Sequence, residues 1–158
     1  MKVINDLLNY SNLKIVQDDE YFNFSLDSVL LPNFVKINSN TKKILDLGTG
    51  NAPIPMILST MTDAHIYGVE LQDEIYNLAK ESIELNNLQD KITIIHDNMK
   101  NLYKYFEPNS FDIILSNPPY FKLNEKSNIN DNIQKTIARH EKEITLSELV
   151  SIAKKYLN

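Results

Sequence analysis

Lys43-Ile-Leu-Asp-Leu-Gly-Thr-Gly-Asn-Ala-Pro53 is the stretch that decides the fold. Its first five residues form a short apolar run around one acid, as in a buried strand, and Gly48-Thr-Gly-Asn51 makes a tight loop. A helix follows, with Asn51 placed as its N-cap and Pro53 in the first turn, where a missing N–H costs nothing. Downstream the alternation continues. His65-Ile-Tyr-Gly-Val-Glu70 reads as a second strand, and Asp73 to Asn86 as a helix burying Ile75, Leu78, Ala79 and Ile83 at spacings of three and four. Asn86-Asn87 suits a left-handed helix end. Ile92-Thr-Ile-Ile95 is a third strand, Phe111-Asp-Ile-Ile-Leu115 a fourth, and Thr145-Leu-Ser-Glu148 a capping box opening a last helix to Leu157.

Strands alternating with helices imply an α/β, doubly wound, mostly parallel sheet covered on both faces. Upstream, the first 40 residues are mixed. The run Val29-Leu-Leu-Pro-Asn-Phe-Val35 predicts a short helix that Pro32 either starts or bends. The 158 residues fit one domain: a flanking segment over 1–40, a cofactor-binding core over 41–120, and a substrate loop with the last helix over 121–158.

Composition narrows the function classes. The chain has no cysteine, and His65, His96 and His140 lack metal-ligand spacing, so no metal site is expected. No signal-like or membrane-length apolar run is present, and a cytoplasmic protein is expected. Net charge is −5, but unevenly spread: residues 1–120 carry −7 and residues 121–158 carry +2. A nucleic-acid contact should therefore favour the C-terminal third.

In such a sheet, ligands sit at the carboxyl ends of the strands. Gly48 and Gly50 let backbone approach a ligand, and Asn51 completes the loop. Glu70 ends the second strand, 20 residues after Gly50, where an acceptor for a ribose diol belongs. Asp97 follows the third strand, where a carboxylate can accept from an adenine amino group. Asp46 either holds the loop or meets an amino group of the ligand. The loop lacks the third glycine of a dinucleotide site, and no cation stands near it for a pyrophosphate. An adenosine cofactor without phosphate fits, which is S-adenosylmethionine.

Asn117-Pro-Pro-Tyr120 follows the fourth strand and opens onto the same sheet edge. Pro118 and Pro119 stiffen the turn, leaving the Pro118 carbonyl and the Asn117 amide as preset acceptors. An aromatic amine is a poor nucleophile because its lone pair is delocalised. Two acceptors gripping its N–H bonds pyramidalise the nitrogen and aim that lone pair at a sulfonium methyl, and Tyr120 can stack on the base.

Taken in order, Asp46-Leu-Gly-Thr-Gly-Asn51, Glu70, Asp97 and Asn117-Pro-Pro-Tyr120 resemble the class I methyltransferases that modify amino groups. Phe24-Ser-Leu-Asp-Ser-Val-Leu-Leu31, Glu84-Leu-Asn-Asn-Leu88 and Ala138-Arg-His-Glu141 narrow the resemblance to the bacterial tRNA(Val) adenine-N6 methyltransferases. This implies a Rossmann-like fold, a tRNA partner, and methylation of the adenine beside the anticodon. It further implies that Phe24 and Ser25 flank the methionine end of the cofactor, Ser25 serving otherwise as a helix N-cap. Arg139 and His140 would face the substrate, being otherwise a solvated pair. Lys122, in the basic C-terminal third, is expected to contact RNA phosphates. Ala52 stands where such families often have glycine.

RNA is preferred to DNA because a loop base is already partly unstacked. Glutamine N5-methylation of a release factor, N2-methylation of guanine in rRNA, and a non-catalytic cofactor- or RNA-binding remnant are the alternatives. The resemblance also implies strands beyond Asn158. The chain is thus expected to be a fragment, with Phe111 to Leu115 as an exposed edge strand.

Overall fold

The computed structural model of the chain describes residues 1–8, 10–21, 24–118 and 144–158, with Ser11 described in its backbone alone. Four parallel strands form the sheet in the order β5-β4-β3-β6: β3 (Lys43–Leu47), β4 (His65–Glu70), β5 (Ile92–His96) and β6 (Ile113–Ser116). Two helices cover one face. Helix α2 (Pro53–Ser59) is buried at every residue, and its seven residues are too few to hold a helix without that packing. Helix α3 (Asp73–Leu85) buries the expected Ile75, Leu78, Ala79 and Ile83 together with Ser82. The other face carries a 3-10 helix over Met99–Lys104 and the C-terminal helix α4 (Leu146–Tyr156). Thr145 and Glu148 close the predicted capping box on α4. Asn87 takes the left-handed conformation after α3, with φ of 55°.

The first residues hold the largest surprise. Strand β1 (Lys2–Leu7) and strand β2 (Tyr10–Asp18) form an antiparallel hairpin separate from the main sheet. Its pattern was hard to read because β2 buries consecutive residues, Ile15, Val16 and Gln17, rather than alternate ones. Side chains satisfy the outer edge of β2. Asn86 accepts from Lys14 N at 2.8 Å and donates to Lys14 O at 2.6 Å, imitating a strand's peptide group. Val16 N donates to Ser82 Oγ, and Val16 O accepts from Asn51 Nδ2. A ragged hairpin is thereby fastened to α3 and to the glycine loop.

Two expectations need correction. Ala52, not Asn51, is the N-cap of α2, because the Asn51 side chain is taken by β2. Ala52 is held at φ 68°, a conformation that disfavours any Cβ. The fourth strand starts at Ile113 rather than Phe111. Phe111 is fully buried and pairs in parallel with Leu157, just beyond α4. The Asp112 carboxylate accepts from the Lys42 and Lys43 amides and locks β6 onto β3. Among the described residues β6 is still the last strand of the sheet. Pro32 sits at the start of a 3-10 turn, Leu31–Phe34, that continues from helix α1 (Leu26–Leu30).

Candidate active site

Parallel pairing of β3 with β6, with Leu47 opposite Ser116, makes the glycine loop and the Asn117 turn leave the sheet side by side. The Ser116 hydroxyl donates to Leu47 O at 2.7 Å and ties the two exits together. The loop itself is built on β4. Gly48 N and Thr49 N both donate to Val69 O, and Gly50 N donates to Glu70 Oε2, each at 3.0 Å. Gly48 and Gly50 have φ of 73° and 60°, and a Cβ on Gly50 would meet nothing within 4 Å, so the loop faces open space there. Glu70 is 2% exposed, and its second oxygen accepts from Gln72 N at 2.9 Å. Its two oxygens fix the backbone on either side of the strand end.

Asp46 is completely buried. One of its oxygens accepts from Thr49 Oγ1 at 2.7 Å, while Oδ1 is, among the described residues, a buried polar atom with no hydrogen-bond partner. Burial pushes its carboxyl up to about 7; the Thr49 bond opposes this, and the nearby Glu70 charge adds to it. Gly68 makes this arrangement possible, since a Cβ there would lie 2.9 Å from the Thr49 side chain and 2.7 Å from Ile94.

Asp97 is built the opposite way. Its oxygens accept from Asn98 N, Asn101 Nδ2, Lys104 Nζ and the Tyr105 hydroxyl at 2.6 to 3.1 Å. The Asn101 amide, with Lys104, Tyr105 and the Asn98 N–H, holds its carboxyl well below the usual carboxylate range. Between Asp97 and the glycine loop lies a small cleft lined by Gly48, Val69, Leu71, Met99 and Ile144. Leu71 and Met99 were missed from sequence. The available signal was that each apolar residue closely follows one of the strand-end acids.

Asn117 is half-buried, and its Nδ2 donates to Ser28 Oγ on α1 at 2.9 Å. Ser25 occupies the N-cap position of α1, yet its hydroxyl makes no capping bond. Phe24 packs against the core beneath α2 and α3. Site geometry thus unites Asp46, Gly48, Gly50, Glu70 and Asp97 around the loop, with Asn117 beside it. Asn51 faces β2 instead. Pro119, Tyr120, Lys122, Arg139 and His140 lie outside the described residues. Among the described residues no three His, Asp or Glu side chains could gather round a metal ion, and no helix is long and apolar enough to cross a membrane.

Comparison with known proteins agrees with this layout. A Flavobacterium psychrophilum protein named tRNA1(Val) (adenine(37)-N6)-methyltransferase is 28% identical over 148 residues, covering 93% of this chain and 62% of its own. A Mannheimia succiniciproducens protein of the same name is 37% identical over 98 residues, covering 61% of this chain and 39% of its own. The chain therefore spans about three fifths, or less, of these relatives' length. Among solved structures, the METTL16 methyltransferase domain superimposes with a TM-score of 0.59 at 26% identity, covering 68% of this chain and 47% of its own. The hMettl16 catalytic domain in complex with MAT2A 3'UTR hairpin 6 gives 0.63 at 19% identity, covering 90% and 58%. These structures share the class I, Rossmann-like methyltransferase fold. The family model described as methyltransferase small domain matches residues 25–152, and the chain belongs to that family.

Proposed function

We propose that the protein methylates N6 of an adenine in tRNA, the adenine beside the anticodon of tRNA(Val). The observation that carries this reading is Asn117-Pro118 leaving β6 next to the glycine loop, with the Asn117 amide held by Ser28. The names of the tRNA-modifying relatives support the substrate.

The family's cofactor is S-adenosylmethionine, which supplies an electrophilic methyl group when bound. The residues present fit it. Asp46 Oδ1 is an orphaned buried acceptor suited to the ligand's amino group. Gly50 faces open space, and Glu70 stands at the strand end, where a ribose diol can donate to it. Leu71 and Met99 line an apolar cleft beside Asp97, able to take a flat ring. Because Asp97 already accepts four hydrogen bonds, it acts there by sharing an oxygen with its half-exposed donors Lys104 and Tyr105.

Toward the base, the Asn117 side-chain oxygen and the Pro118 carbonyl accept the two N–H bonds of the amine. Tyr120 stacks on the purine, and Lys122, Arg139 and His140 meet the RNA. No residue has to remove a proton before the displacement, because the grip itself exposes the nitrogen lone pair.

Labelled methyl transfer into tRNA lacking the modification, followed by nucleoside analysis, tests the proposal. N6-methyladenosine is expected. Methylguanosine in the RNA, or methylglutamine in a release factor with unlabelled tRNA, would overturn it.

A further inference from the structure

We infer that His96 is a positioning residue that sets the width of the cofactor cleft. This rests on the reading of that cleft, between the glycine loop and Asp97, as the seat of the cofactor's adenine. Parallel pairing of β4 with β5 stops at Glu70 and His96. The next residue on each chain belongs to the site: Leu71 lines the cleft after β4, and Asp97 lines it after β5. Where a ladder stops, backbone bonds no longer hold the two ends at a fixed distance. The His96 ring does so here. Its Nε2 lies 3.1 Å from Leu71 O. A carbonyl oxygen only accepts, so Nε2 carries the hydrogen of this contact and adds one more rung to the ladder.

The ring is itself held in place. It stacks on Tyr76 of α3, with centroids 4.8 Å apart and planes 14° from parallel, and its Nδ1 lies 3.6 Å from Asp73 Oδ1. The other side of the glycine loop is built alike, since the Ser116 hydroxyl ties the exits of β3 and β6 through Leu47 O. At both places the last side chain of one strand donates to a carbonyl at the end of its neighbour. A residue assigned to the site follows directly, Asp97 after His96 and Asn117 after Ser116. The His96 side chain is 37% exposed and fills no part of the core, so its N–H can be removed without unfolding the sheet.

The test is a pair of variants read by binding, turnover and stability. His96→Phe keeps a flat ring against Tyr76 and removes the N–H. It should raise the KM for S-adenosylmethionine about fivefold, the size of one lost hydrogen bond, while kcat on unmodified tRNA stays within about twofold of the parent. Adenosine, measured as a competitor of the cofactor, should lose affinity by the same factor, because the effect lies at the adenine end. His96→Gln, which offers an N–H of similar reach, should restore most of the affinity. The thermal midpoint without cofactor should stay near the parent value in both. The inference is overturned if His96→Phe leaves KM and adenosine affinity unchanged. It is also overturned if His96→Gln loses as much as His96→Phe, or if affinity falls only together with the thermal midpoint, the mark of a structural role. Failure of the underlying reading has its own signature: Leu71→Trp, which fills the cleft, would then bind S-adenosylmethionine as tightly as the parent.

Discussion

Asp46 lies buried beneath the glycine loop and Asp97 lines the cleft beside that loop, and the two acids are built in opposite ways. Asp46 is fully buried, receives one hydrogen bond and leaves an oxygen unpartnered, so its carboxyl is pushed up to about 7. Asp97 reaches solvent, is surrounded by four donors, and is held far below the usual range. Both follow from where their strands leave them. Asp46 lies within β3, under the loop, whereas Asp97 stands just before the 3-10 helix Met99–Lys104, whose residues fold back onto it. An acid that already has its donors is mainly a support for the chain around it. An acid kept short of donors in a dry site holds unspent affinity for a cationic ligand group.

The largest expected effect therefore belongs to Asp46→Asn. It should weaken S-adenosylmethionine binding roughly ten- to a hundredfold at about pH 8, matching the roughly 1.5–3 kcal/mol of a charged hydrogen bond. Calorimetry in buffers of different ionisation heat sharpens this. A carboxyl near 7 is protonated below neutrality, and an ammonium partner favours its ionised form, so affinity should rise with pH through the neutral range, with proton release on binding. The variant should lose that dependence.

Stability runs the other way. The folded-state pKa lies above the ordinary 3.8, so this group's stabilising contribution is full below about pH 4 and is lost as pH rises toward 7. The cofactor-free parent should accordingly lose thermal stability over that window, and Asp46→Asn should flatten the loss.

Asp97→Asn should show a smaller and different effect. Its depressed pKa gives stability that is present above about pH 4 and lost as pH falls through the acid range. Asp97→Asn should lower the thermal midpoint at neutral pH, while cofactor affinity falls only a few-fold. A larger loss of binding in Asp97→Asn than in Asp46→Asn would reverse the comparison. Ala52→Gly is the smallest case. Relief of the φ 68° strain is offset by lost burial of one methyl and by a more flexible unfolded chain. Stability by denaturant titration should change by no more than about 1 kcal/mol in either direction.

Much of this arrangement was legible in the sequence, and the division has a physical basis. Strands β3, β4 and β5 and helices α3 and α4 show clean periodicity or end signals, because each meets the core on a simple face. The glycine loop and the strand-end acids follow from their order along a doubly wound sheet. The β1–β2 hairpin was illegible because side chains of α3 and the loop, not strand partners, complete its edge. For the same reason Asn51 gave up its predicted cap. The difference between Asp46 and Asp97 could not be read at all: both are single acids beside apolar residues, and only folding decides how many donors reach each. Ser28, 89 residues from its partner, leaves no local pattern.

Cofactor binding and methyl transfer measured side by side on Asn117→Ala test the division between the two halves of the site most directly. S-adenosylmethionine affinity should stay close to that of the parent while transfer to tRNA is abolished, because the Asn117 side chain acts on the target amine and not on the cofactor. Equal loss of both, or transfer that persists without this amide, would contradict it.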